Sequence, residues 1–291
     1  MLKTRVIACV LYRDGVVVQS KAFSRYQVLG DPVTIVERLS GWACDELIYL
    51  DISRCRQPAG GRCDLGRRVA GSFHRVLGAV SRFAFMPLTV GGHIRSVKGA
   101  VERIESGADK VALNTAAVRD PRLVGQLARV LGGQCVVVSV DVRREGDDWR
   151  VFADGGRVAA DGGVVTFCRR IEDHGAGEIL LHAIDRDGAG TGYDLKLLET
   201  VAAAVSIPVV ALGGVGAWSH MDEALRRVPV SGVAAANIFH YTENSMHNAK
   251  RYLYERGHNV RAPDLLDLDQ LGGERLCAIA SGASTPKSPS T

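Results

Sequence analysis

The chain has 291 residues, 46% of them apolar and 23% charged, with a net charge of +4. That balance belongs to a folded globular protein able to bury a sizeable core, and it excludes a disordered chain. The longest early apolar stretch, Val6 to Tyr12, falls far short of the roughly 18–20 residues of a membrane span, and the charge is too small and scattered to argue for nucleic acid as a partner.

No apolar core with a small-residue cleavage site follows Met1-Leu2-Lys3-Thr4-Arg5, so a cytoplasmic location is expected. The seven cysteines (Cys9, Cys44, Cys55, Cys63, Cys135, Cys168 and Cys277) are odd in number and lack zinc-ligand spacing. They read as reduced thiols, and neither a metal nor a cofactor is expected.

In chain order, Val- and Ile-rich runs at 5–11, 46–52, 86–91, 109–113, 135–141, 178–184, 208–212 and 232–236 alternate with amphipathic stretches. Helical patterns fall between them, as at Asp31–Trp42, Ser96–Ser106, Pro121–Leu131 and Asp194–Val205. Short runs buried on both faces, each followed by a helix, predict a parallel sheet. Eight such units with no GxGxxG after the first predict an α/β fold of the (β/α)8 TIM barrel type rather than an open sheet. The barrel is expected over 1–261. An Arg/Gly-rich loop is expected at 54–68, and the Pro/Ser-rich stretch 262–291 reads as a mobile tail.

The chain also repeats itself. Pro87-Leu88-Thr89-Val90-Gly91-Gly92 matches Pro208 to Gly214, Gly107 to Asn114 matches Val230 to Asn237, and Asp45 to Asp51 matches Gly177 to Asp185. Three pairings in the same order predict two half-barrels of four units each.

Barrel chemistry belongs at the C-terminal ends of the strands. There stand Gly91-Gly92, Asn114-Thr115, Gly213-Gly214 and Asn237. Each Gly-Gly pair is either a tight turn or a place where a phosphate approaches the backbone closely, and their duplication favours a phosphorylated small molecule held at both ends. Asp51, Asp141, Asp185 and Asp187 are the candidate acid–base carboxylates, with Asp141 closing the run Val136-Val137-Val138-Ser139-Val140. His93 and His182 also fall at strand ends. At the opposite ends stand Arg5, Glu46, Lys110 and Glu178, two cations and two anions that either plug the barrel floor or gate it.

These stretches carry a family resemblance. Gly30-Asp31-Pro32, Asp45-Glu46-Leu47-Ile48-Tyr49-Leu50-Asp51-Ile52, Asn114-Thr115-Ala116-Ala117-Val118, Gly175 to Leu181, and Ile184-Asp185-Arg186-Asp187-Gly188 are similar to the cyclase subunit of imidazole glycerol phosphate synthase. The resemblance covers residues 1–261 and implies a heterodimer with a glutaminase subunit. The glutaminase docks at the floor, and its ammonia crosses the barrel to a bis-phosphorylated ribulosyl substrate, which is cyclised and cleaved. It implies an ammonia gate at Arg5, Glu46, Lys110 and Glu178, and a partner contact at Asp109. It further implies phosphate binding at the two Gly-Gly turns, Asn114, Thr115, Asp187 and Gly188, with the strand-end Asn237 a further candidate, and catalysis by Asp141.

Leu11 stands where the family carries its other catalytic aspartate. Gln19, His93, His182, Leu212 and Asn237 also depart from the family pattern. An apolar residue at the position of Leu11 resembles a paralogous branch linked to acetamidino modification of cell-surface sugars. In that branch a separate sugar amidotransferase uses the ammonia. The leading expectation is therefore an ammonia-conducting subunit of that branch, with the histidine-pathway cyclase as the alternative and a non-catalytic barrel third.

Overall fold

The structure is a computed structural model that describes residues 2–53 and 72–263. The loop expected at 54–68 and nearly all of the expected tail lie outside those residues. The strands are β1 (Arg5–Arg13), β2 (Val16–Lys21), β3 (Arg25–Gly30), β4 (Glu46–Asp51), β5 (Leu88–Gly91), β6 (Lys110–Leu113), β7 (Val136–Glu145), β8 (Asp148–Ala153), β9 (Val158–Gly163), β10 (Glu178–Ala183), β11 (Val209–Leu212) and β12 (Gly232–Ala235). The helices are α1 (Pro32–Gly41), α2 (Phe73–Val80), α3 (Val97–Glu105), α4 (Thr115–Arg119), α5 (Arg122–Leu131), α6 (Val164–Asp173), α7 (Leu195–Ala202), α8 (Trp218–Arg227) and α9 (Ser245–Glu255). Among the described residues no helix is long and apolar enough to cross a membrane.

Eight strands pair in parallel in the order β1-β4-β5-β6-β7-β10-β11-β12, and β12 returns to β1. The ring closes, so this is the (β/α)8 barrel that the eight runs predict. Alternation along each strand divides the core in two. On β1, Val6, Ala8, Val10 and Tyr12 pack outward under the helices, whereas Ile7, Cys9 and Leu11 fill the barrel interior. The same period on β7 sends Val136, Val138, Val140 and Val142 outward, while Val137 packs into the interior.

The helices start where short polar side chains cap them. The Asp31 carboxylate accepts from Val33 N and Thr34 N at 3.0 Å, with Pro32 in the first turn of α1. Asp194 does the same for α7 at Leu197 N, 3.1 Å away.

The half-barrel repeat is visible in an unexpected place. Among the described residues, only the first and fifth barrel strands run on into antiparallel hairpins, β1-β2-β3 and β7-β8-β9. The first turn is Asp14-Gly15 with φ of 50° and 94°, the positive-φ pair that a two-residue hairpin connection requires. Both hairpins rise from the C-terminal ends of the strands and therefore stand over the mouth.

Candidate functional site

At the floor, Arg5, Glu46, Lys110 and Glu178 are the first residues of β1, β4, β6 and β10. Their side chains form a closed square in which each carboxylate meets both cations. Arg5 Nη1 donates to Glu46 Oε2 at 2.5 Å, and the same guanidinium pairs with Glu178. Lys110 Nζ lies 3.1 Å from Glu46 Oε1 and 2.9 Å from Glu178 Oε2. Thr89 Oγ1 adds a fifth contact to Glu46 Oε1 at 2.8 Å. Burial opposes ionisation of Glu178, but Arg5 and Lys110 together hold its carboxyl below the usual carboxylate range.

Asp109, beside the square, is exposed, and its Oδ2 accepts from Leu88 N at 2.7 Å. Asp45 caps β1 in the same way, at Val6 N and 2.9 Å.

At the other end a cavity of about 950 Å³ opens between the hairpins. Leu11 and Asp141 both line it, as do Gly92, Asn114, Thr115 and His182. Burial pushes the Asp141 carboxyl upward, opposed by the nearby His182 ring and by Ser139 Oγ, which donates to Asp141 Oδ1 at 2.9 Å. His182 stands between two carboxylates: its Nδ1 is 3.9 Å from Asp141 Oδ1 and its Nε2 is 3.8 Å from Asp187 Oδ1. The Phe23 ring meets the imidazole edge-on at 4.8 Å. Burial also works against ionisation of Asp187, but the His182 ring, Ser20 Oγ and Phe23 N–H hold its carboxyl below the usual range.

Asp51 lines the same cavity and accepts from Ser53 N at 3.0 Å. Asp185 lies outside that lining, exposed, and accepts from Arg144 N at 2.7 Å.

Asn114 spends its amide on the wall, donating to Ser139 O at 3.1 Å and Phe152 O at 2.9 Å. Thr115 Oγ1 accepts from Asp154 N at 3.0 Å, which ties the fourth barrel strand to the second hairpin. At Gly92, with φ of 100°, any Cβ would drive into the Asp51 carbonyl, so the residue is required by close packing whether or not an anion binds there.

The second-half residues are placed differently. Asp187, Gly188, Gly213, Gly214 and Asn237 cluster at the ends of β10, β11 and β12 but do not line the cavity. Gly214 O accepts from Gly192 N at 2.8 Å, and Asn237 Nδ2 donates to Ser20 O at 3.0 Å.

The cavity rim holds residues that no strand-end pattern marks: Arg95, Lys98, Arg119 and Arg157, with Asp154 among them. Their only signal is position, within a few residues of Gly91-Gly92, Asn114-Thr115 and the second hairpin turn. No cluster of His, Cys, Asp or Glu able to hold a metal occurs among the described residues.

A closed parallel barrel with an ion-paired floor and a carboxylate-lined mouth defines a (β/α)8 barrel protein. The histidine biosynthesis protein family matches residues 5–245. The imidazole glycerol phosphate synthase subunit HisF of Hyphomonas neptunium is 43% identical over 261 residues, spanning 90% of this chain and 99% of its own length. Its counterparts in Streptococcus mutans and Bacillus cereus are each 39% identical over 262 residues, covering 90% of this chain and 100% of their own. The chain belongs to the histidine biosynthesis protein family.

Proposed function

We propose that this chain is the ammonia-using barrel of a glutamine amidotransferase pair, in which a glutaminase subunit docks at the floor. The observation that carries the reading is the contrast between the two ends: the charged square at the floor is complete, while the mouth carries Leu11 where the resemblance calls for an aspartate. Leu2 and Phe85, 94% and 88% exposed, each lie three residues before a strand, β1 and β5, and so offer apolar surface at the floor end, where a partner would sit. Above the square the interior is apolar, with Ile7, Cys9, Ile48, Leu180 and Val210 among its residues. Such an interior admits neutral ammonia and strongly opposes ammonium, whose charge would have to leave water. The proton must therefore be left in water below the floor, where Arg5 and Lys110 repel ammonium.

At the mouth the ammonia meets an acceptor. With one carboxylate replaced by Leu11, the acid–base pair that a cyclisation would draw on is incomplete, and loss of a general acid or base typically costs about 10²–10⁴-fold in rate. Nitrogen delivery to a separate sugar amidotransferase, for acetamidino modification of a cell-surface sugar, asks less of the mouth. The barrel then has to guide ammonia rather than cyclise. The test reconstitutes chain, glutaminase and sugar amidotransferase, and supplies nitrogen either as glutamine or as ammonium salt. Lys110→Met should reduce glutamine-dependent amidation while ammonia-dependent amidation persists, and equal losses would remove the gate.

A second reading, cyclisation of the bis-phosphorylated ribulosyl substrate, is favoured by the end-to-end match to three imidazole glycerol phosphate synthase subunits. It requires Asp141, its carboxyl raised by burial, to serve as proton donor with His182 beside it.

A further inference from the structure

We infer that His182 is the base of the mouth: Asp187 holds its ring from behind, and its Nδ1 stands beside Asp141 to take the proton that ammonia sheds on bonding to a carbonyl carbon. The inference rests on the second reading, cyclisation at the mouth, and supplies it with the proton acceptor that Leu11 cannot be.

Strand register brings the groups together. His182 on β10 stands opposite Asp141 on β7, and side chains opposed in register share a face of the sheet. Both line the cavity. The edge-on Phe23 ring restricts how the imidazole turns. His182 Nε2 is buried without a hydrogen-bond partner among the described residues, and Asp187 Oδ1 lies 3.8 Å from it. The other oxygen of that carboxylate already accepts from Ser20 Oγ at 2.6 Å and Phe23 N at 3.2 Å, so Oδ1 is the one left for the ring. The separation exceeds a formed hydrogen bond by about 1 Å, a gap of the kind that tightens when substrate fills a site.

Charge then fixes the tautomer. The Asp187 carboxyl, held below its usual range, is an anion at neutral pH and calls for the ring proton at Nε2. That leaves the lone pair on Nδ1, 3.9 Å from Asp141 Oδ1. Burial pushes the Asp141 carboxyl the other way, so a proton acceptor and a proton donor stand side by side. Cys9, in the interior below, does not compete, because burial pushes its thiol up and keeps it protonated.

The step balances. The ammonia lone pair forms the new N–C bond while the carbonyl π pair moves onto its oxygen. One N–H proton passes to His182 Nδ1, and its bonding pair stays on nitrogen. The imidazolium so formed lies against the Asp187 anion. Asp141 protonates the oxygen, and the proton on Nδ1 then returns to Asp141, which restores both groups.

Turnover of the full chain, alone, with ammonium salt and the bis-phosphorylated ribulosyl substrate tests this, together with nitrogen-15 NMR of the histidine rings. In the parent at neutral pH, His182 Nε2 should carry the proton and Nδ1 should resonate as an unprotonated ring nitrogen. His182→Gln, checked by its unfolding midpoint, should lower kcat about 10²-fold with KM within about threefold of the parent's. Asp187→Asn should lower kcat about tenfold or more and move part of the ring proton to Nδ1. A folded His182→Gln with unchanged kcat would overturn the inference, as would a loss confined to KM. So would a proton on Nδ1 in the parent, which decides the matter even where a variant does not fold. Absence of turnover by the parent would instead remove the cyclisation reading and this role for His182 with it. The ammonia gate, tested with glutamine as nitrogen source, stands apart from all of these outcomes.

Discussion

Replacing Lys110 by Met removes one corner of the floor square, and the geometry sets how much that should matter. Lys110 Nζ lies 2.9 Å from one carboxylate oxygen and 3.1 Å from another. At an effective dielectric of about 20 each contact carries roughly 5 kcal/mol of Coulomb attraction, most of it offset by the desolvation that burial imposes. Without Lys110, two buried carboxylates share the Arg5 guanidinium and one negative charge is left uncompensated. Breaking a buried pair in this way costs about 3–5 kcal/mol. Lys110 retains 20% of its side-chain exposure, so the lower end, about 3 kcal/mol, is expected.

Urea unfolding at neutral pH should show that loss as a lower midpoint with an unchanged slope. The pH dependence provides an internal control. Glu178 titrates below its ordinary value in the folded chain, so its contribution is present above the unfolded pKa and is lost as pH falls through the folded one. The parent protein should therefore lose more stability on acidification than the variant, and the gap between them should narrow below about pH 4. A gap under about 1 kcal/mol at pH 7, or one that stays constant into acid, would refute the buried-square reasoning.

Lys250 on α9 is 1% exposed and bonds Asp45 Oδ1 at 2.8 Å and Ala43 O at 2.9 Å, so Lys250→Met should destabilise by about 3 kcal/mol in the same denaturation assay. His182→Gln removes the ring that lowers both neighbouring carboxyls, so the Asp141 and Asp187 titrations should each move to higher pH when followed by carboxyl carbon NMR. Because the Asp187 carboxyl is depressed in the parent, that variant should also lose part of the stability present above the ordinary aspartate pKa.

Barrel strands and floor were legible in the sequence because both depend on short-range pattern. A run such as Val136-Val137-Val138-Ser139-Val140 has one reading in a sheet covered on both faces, and a charge at the first position of such a run faces the floor by period alone. The hairpins were harder. Val16-Val17-Val18 follows Asp14-Gly15 and carries a hairpin signal, but the alternation of eight units absorbed it into the loop after the first strand. The consequence is the part no pattern reveals: the hairpin tip lies 164 residues in sequence from the Asp187 carboxylate that fixes it. The place of His182 between two aspartates, and the burial of Lys250 beneath the strand-capping Asp45, are likewise products of closure. The Gly-Gly turns look alike in sequence, yet Gly92 borders the cavity and Gly213-Gly214 does not.

In the proposed function the floor of this barrel admits ammonia while its mouth is not that of an efficient cyclase. The most direct measurement supplies the purified chain with ammonium salt and the bis-phosphorylated ribulosyl substrate, beside the Hyphomonas neptunium relative under the same conditions. Free ammonia makes the outcome independent of any glutaminase. Turnover should be at least about 10²-fold slower than the relative's, and Leu11→Asp should recover less than about tenfold of it, because the mouth also differs at His182, Leu212 and Asn237, which leaves the substrate unpositioned against the new carboxylate. Turnover by the unaltered chain within about tenfold of the relative's would contradict the account.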